Sequence, residues 1–162
     1  MSGPALAAVA AAGIAHEVVR HGPARSLPEA ARNQGVEVRD VVKTLVVRQT
    51  PDRYVFVLVP GDRVISWPKL RTLLGVNRLS LPDATTAKDA TGYERGTITP
   101  FGSATAWPVI ADERLRGRTV SLGAGERGVA LRLAADDAVS ALGATVADVT
   151  DPEPDSETPP RD

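Results

Sequence analysis

The sequence predicts a single α+β domain built on a mixed, mostly antiparallel sheet flanked by short helices. Two strongly apolar segments, Val41–Val47 and Tyr54–Pro60, are separated by the turn-forming run Thr50-Pro51-Asp52-Arg53 and so form a hairpin. Short capped helical segments interrupt further hairpin-like pairs instead of alternating one for one with strands, which excludes a doubly wound sheet. The chain has 162 residues, 43% hydrophobic and 24% charged, enough to bury a real core.

Taken in order, Pro4–Ala12 is an Ala-rich helix stopped by Gly13, and Ile14–Arg20 is a strand followed by the turn His21-Gly22-Pro23. Ser26-Leu27-Pro28-Glu29 has the spacing of a capping box and opens a helix to about Asn33. The hairpin follows. Ser66 caps a helix with Leu70, Leu73 and Leu74 on one side and Gly75 at its end. Strands are expected at Arg78–Leu81, Thr105–Ala111, Arg118–Leu122, Val129–Leu133 and Thr145–Val149, with helices at Asp83–Thr91 and Asp136–Leu142.

Residues 150–162 hold five acids, one arginine, four prolines and no large apolar side chain, the composition of a disordered tail. The expected division is therefore a domain over 1–149 and a tail over 150–162. The whole chain carries −1, so the part before the tail is +3, a balance that tolerates an anionic partner such as RNA without demanding one. Met1–His16 is too short and lacks the basic start of an export signal, so a cytoplasmic protein is expected. The sequence has no cysteine, which removes disulfides, thiolate metal sites and a cysteine nucleophile.

Few side chains are left to carry chemistry. His16 and His21 are five apart across a strand end, which gives no metal pair, and no serine sits in a nucleophile-elbow context. Gly123-Ala124-Gly125-Glu126-Arg127-Gly128 matches a dinucleotide fingerprint, but a strand and not a helix follows it, so a tight turn against a neighbour is expected. The six aromatics are too dispersed to form a base-stacking platform. Two features remain. Lys43 lies within an apolar strand, beside Val41, Leu45 and Val47 on one face, and is either an edge-strand lysine that reaches water or one that meets an anion. The loop Thr91–Ser103 holds three glycines, a proline and four hydroxyl residues, and can turn backbone N–H groups inward.

Together, the strand Val41-Val42-Lys43-Thr44-Leu45-Val46-Val47, the Gly96-x-x-x-Pro100-x-Gly102 loop and the Arg127-Gly128 turn resemble the YbaK/prolyl-tRNA synthetase editing-domain family over roughly residues 5–149. The resemblance implies a trans-editing enzyme that hydrolyses the ester of a mischarged tRNA, typically tRNA(Pro) carrying Ala, Cys, Ser or Thr. It implies Lys43, Gly96 and Pro100 as the functional positions, with Lys43 on the 3′-terminal adenosine. Substrate contacts are then expected from His21, Thr44, Thr97, Ile98, Thr99, Gly102, Gly123 and Arg127. No metal or other cofactor is implied; the partners are the acceptor end of an aminoacyl-tRNA and prolyl-tRNA synthetase, not DNA or a membrane.

Three positions depart from the Cys-tRNA(Pro) deacylase branch: Val19, Gly123 and Ala130 stand where that branch has tyrosine, serine and aspartate. The alternatives are a non-catalytic module that holds tRNA or an acylated ligand, and a hydrolase of small esters or amides.

Overall fold

The computed structural model describes residues 3–154. Its principal sheet contains β2 (Val42–Thr50), β3 (Arg53–Pro60), β5 (Val109–Asp112) and β8 (Thr145–Ala147), in the order β2-β3-β5-β8. The β2–β3 hairpin is antiparallel, running from Val42 opposite Pro60 to Arg48 opposite Tyr54, with a bulge before Thr50. The β3–β5 and β5–β8 pairs are parallel. Strand β3 lies between two neighbours, and every residue after Arg53 is buried, which is why Tyr54–Pro60 is an unbroken apolar run. The side chains of Tyr54, Phe56 and Leu58 enter one core cluster, and those of Val55, Val57 and Val59 enter the other.

A second sheet contains β1 (His16–Arg20), β7 (Val129–Ala134) and β6 (Thr119–Gly123), all antiparallel, in the order β1-β7-β6. It meets the principal sheet where Val41 bridges Ser121. Strands β4 (Arg63–Ile65) and β9 (Thr150–Pro152) form a small third sheet. Five eight-residue helices flank these sheets: α1 (Pro4–Ala11), α2 (Leu27–Gln34), α3 (Trp67–Leu74), α4 (Ala84–Thr91) and α5 (Ala135–Leu142).

The helix starts follow their caps. Ser26, Ser66 and Asp83 each accept the N–H three residues on, from Glu29, Lys69 and Thr86. The reciprocal arm of the Ser26 box shifts by one residue, because the Glu29 carboxylate accepts from the Arg25 N–H. The expected α+β architecture is what the structure contains, but several boundaries are corrected. Of the strand expected at Arg78–Leu81, only Ser80 pairs, as a bridge to Arg48. The strand expected from Thr105 begins at Val109: the Trp107 indole donates to the Ala90 carbonyl at 2.8 Å, and Pro108 has no N–H for a ladder. The last expected strand stops at Ala147.

The expected tail is also shortened. Its first three residues are β9, and Thr150 is fully buried. A polar network accounts for this. Asp112, fully buried, accepts from the Thr150 hydroxyl at 2.9 Å, the Val149 N–H at 3.2 Å and the Arg114 guanidinium at 3.1 Å. Arg63 donates to the Thr150 hydroxyl at 2.6 Å, while Arg114 and Lys69 both pair with Asp148. No hydropathy pattern signals a strand held by such contacts. The rest of the expected tail, 155–162, lies outside the described residues.

Hydrogen bonds from Arg114 first, and then from Lys69, hold the Asp148 carboxyl at about 2, below its ordinary 3.8. A carboxyl depressed by folding stabilises the protein above its unfolded value, and that contribution disappears as pH falls through the folded value. Asp148→Asn should therefore melt below the wild type near neutrality, and the gap in Tm should close between about pH 4 and pH 2. Melting curves across that range check this.

Candidate functional site

Two cavities open on either side of Gly96 and Gly123, beside the junction of the two main sheets. The larger, about 650 Å³, lies between α2 and the β6–β7 turn; its walls include His21, Leu27, Ala30, Gln34, Ser121 and Ala130. The smaller, about 450 Å³, is lined by β2 from Val42 to Val46, by Leu81, Pro82, Ala84 and Ala87, and by Arg95, Gly96, Ile98 and Gly123. Val42, Gly96 and Gly123 belong to both.

Lys43 lies on the end strand of its sheet, partly buried, and its ammonium donates to the Arg63 carbonyl at 2.5 Å. An ammonium has three donors, so two remain beyond that carbonyl. The next residue is more telling. The Thr44 hydroxyl is buried with no hydrogen-bond partner among the described residues, and Thr44 is among the residues lining the smaller cavity. An unpaired buried hydroxyl costs on the order of 1–3 kcal/mol.

The Thr91–Ser103 loop is folded by its own side chains. The Tyr93 hydroxyl donates to the Phe101 carbonyl at 2.6 Å, and the Thr97 hydroxyl to the Glu94 carbonyl at 2.7 Å. Burial raises the Tyr93 pKa, so this donor keeps its proton. The glycine-rich turn closes over the loop as expected. Gly125 donates its N–H to the Thr97 carbonyl at 3.0 Å, and with φ at +80° a side chain there would strike the Tyr93 ring. Gly96 has φ at +90° and open space beside it, so glycine serves the backbone conformation at the cavity mouth. The N–H groups of Gly96 and Ile98 have no acceptor among the described residues.

The structure thus brings Lys43, Thr44, Gly96, Ile98 and Gly123 to the smaller cavity, and His21, Gly96, Gly123 and Arg127 to the larger. Thr97, Thr99, Pro100 and Gly102 do not line either cavity. Thr99 and Pro100 are buried behind the loop, and Gly102 packs on the backbone of Pro4. They lie behind the wall and not on its face. Val19, Ala130 and Gly123 face one another in register across β1, β7 and β6, so the three departures form a single row. Sequence reasoning missed the buried pair Gln34–Ser121, in which the Ser121 hydroxyl meets the Gln34 amide at 2.5 Å, deep in the larger cavity. Helix α2 was foreseen, but its packing partner was not.

A family model for the aminoacyl-tRNA editing domain matches residues 21–141, spanning both cavities. The chain belongs to the aminoacyl-tRNA editing domain family. A candidate Cys-tRNA(Pro)/Cys-tRNA(Cys) deacylase, EbsC of Enterococcus faecalis, is 26% identical over 126 residues, 77% of each chain. The proline–tRNA ligase of Thermosipho melanesiensis is 31% identical over 100 residues, which are 62% of this editing domain but 17% of that enzyme. The solved structure of a candidate trans-editing enzyme for prolyl-tRNA synthetase superposes with a TM-score of 0.82 at 28% identity, covering 93% of this editing domain and 99% of that chain. Among the described residues no helix is long and apolar enough to cross a membrane.

Proposed function

We propose that this editing domain hydrolyses the ester of a mischarged tRNA, with tRNA(Pro) carrying a small amino acid as the substrate class and the cytoplasm as the setting. The observation that carries the proposal is the pair of cavities meeting at Gly96, one lined by Lys43, Thr44 and Arg95, the other holding the buried Gln34–Ser121 pair beside Leu27, Ala30 and Ala130. The 3′-terminal adenosine fits the smaller one, where Lys43 and Arg95 meet its phosphate and the Thr44 hydroxyl meets a ribose or base atom. The aminoacyl side chain enters the larger one, against Leu27, Ala30 and Ala130. The ester then lies at Gly96, whose N–H, with that of Ile98, donates to the oxyanion as water adds to the ester carbon. The bond to the ribose oxygen breaks, that oxygen takes a proton, and a free amino acid leaves. Thr97, Thr99, Pro100 and Gly102 act as positioning residues that hold this loop, and Arg127 and His21 border the acyl cavity. Prolyl-tRNA synthetase is the expected protein partner.

Ala130 and Gly123, with Val19 next in their row outside the lining, give the acyl cavity an apolar wall, and the Gln34–Ser121 pair gives it one polar spot. This favours a small side chain bearing a hydroxyl, ahead of cysteine. A panel of mischarged tRNAs tests the proposal: seryl- and threonyl-tRNA should be cleaved faster than in buffer, and Gln34→Leu should shift the ratio of kcat/KM toward alanyl-tRNA by about tenfold, the value of one hydrogen bond. If no mischarged tRNA is cleaved above the buffer rate, the non-catalytic binding module takes its place. Turnover of esters lacking tRNA, at rates indifferent to salt, would favour the small-ester hydrolase.

A further inference from the structure

A third cavity, of about 530 Å³, lies outside the two that flank Gly96, and Arg48, Arg71 and Arg78 line it together with Asn77 and Ser80. Among the described residues, Arg39, Lys69, Lys88, Arg114, Arg118, Arg127 and Arg132 all pair with carboxylates. The three arginines of this cavity do not, and neither do Arg20, Arg25, Arg32, Arg53, Arg95 and Arg116; what distinguishes the three is that they line one cavity, with no carboxylate within 4.0 Å and no guanidinium hydrogen bond among the described residues. Asp83, whose carboxyl Arg48 helps to hold low, is already engaged as the cap of α4, accepting from the Thr86 N–H at 2.7 Å. Three like charges on the wall of one cavity, with only Asp83 acting on one of them from a distance, repel one another, and an anion with several oxygens would relieve that repulsion.

The three are carried by ordered backbone. Arg48 and Ser80 exchange both backbone hydrogen bonds, at 2.8 and 3.2 Å, and Arg71 sits in the last turn of α3, where its carbonyl accepts from the Val76 N–H. The cavity shares two chain segments, though no lining residue, with the proposed adenosine site. Strand β2 contributes Lys43 and Thr44 to one and Arg48 to the other, about 16 Å apart at the rise of a strand. The segment after α3 lines this cavity with Leu79 and Ser80 and the adenosine cavity with Leu81 and Pro82.

We propose that Arg48, Arg71 and Arg78 form a phosphodiester-binding surface that takes the backbone of the tRNA acceptor arm while its 3′ end occupies the cavities at Gly96. The inference rests on the proposed tRNA substrate. Planar guanidinium groups suit phosphate oxygens, and contacts to backbone phosphates position a nucleic acid without selecting its sequence.

The test is equilibrium binding of uncharged tRNA across a series of salt concentrations, with wild type and an Arg48→Ala/Arg71→Ala/Arg78→Ala variant whose melting curve is recorded. The variant should bind at least about tenfold more weakly near physiological salt, and its slope of log K against log salt should fall by about 2 to 3. Hydrolysis of a 3′-aminoacyl adenosine ester, too short to reach the arginines, should be unchanged. A folded variant with wild-type affinity and slope overturns the inference, as does an equal loss on the short ester. If the triple variant does not fold, the exposed Arg78→Glu decides: binding several-fold weaker supports the surface, and unchanged binding overturns it. A wild type that hydrolyses no ester but binds tRNA through these arginines would overturn the deacylase proposal and support this one.

Discussion

Lys43→Ala is expected to lower kcat/KM for deacylation by about 10- to 100-fold, the loss of one charge-assisted hydrogen bond to the adenosine phosphate. The fold should survive, because Lys43 lies on an end strand and its one partner, the Arg63 carbonyl, stays accessible to water once the chain is shortened. Lys43→Arg should recover part of the loss, since a guanidinium also binds phosphate but sets its donors at a different reach from the ammonium. Single-turnover hydrolysis of a mischarged tRNA, together with a melting curve, separates the site from the scaffold. A Lys43→Ala protein that is folded and fully active would return this lysine to the role of an edge-strand charge that reaches solvent.

Asp112→Ala should destabilise the domain by about 3 kcal/mol, the largest effect on stability expected of any single polar residue described above. Its carboxylate is fully buried and satisfies four groups at once: the Val149 N–H, the Thr150 hydroxyl, and the backbone N–H and guanidinium of Arg114. Removing it strands the first two in the interior, and Arg114, about a third exposed, recovers only part of its loss from water. Asp112→Asn keeps an oxygen acceptor and should cost less. Chemical denaturation of the two variants checks the order. The effect has a functional side: Thr150 holds the Arg63 side chain, and the Arg63 carbonyl holds the Lys43 ammonium. Asp112→Ala should therefore also loosen Lys43 and lower kcat/KM beyond the fraction unfolded.

The parts of this fold legible in the sequence were those set by local chemistry. Ser26, Ser66 and Asp83 announced three helices because capping is a contact across three residues, and Tyr54–Pro60 announced a central strand because burial on both faces leaves no polar alternation. Strands β4 and β9 were invisible for the opposite reason. Each has three residues, and their pairing is held by Arg63, Thr150 and Asp112, which are far apart in sequence. At the site, Lys43 and Gly96 stood out as residue types misplaced in their surroundings, a charge in an apolar strand and a glycine in a structured loop. Gln34 and Ser121 did not stand out. A glutamine near a helix end and a serine in a strand are ordinary until tertiary packing buries them together 87 positions apart. Thr99, Pro100 and Gly102 stand behind the cavity linings because a motif fixes a loop's shape without saying which side of the loop faces the cavity.

The division of labour between the two cavities is open to direct observation. A crystal structure of the domain with a non-hydrolysable amide analogue of 3′-seryl-adenosine should show the adenosine beside Lys43 and Thr44, the amide at the Gly96 N–H, and the seryl hydroxyl within hydrogen-bond reach of Gln34. An analogue bound with its acyl group in the cavity of Lys43, or bound away from Gly96 altogether, would contradict the account.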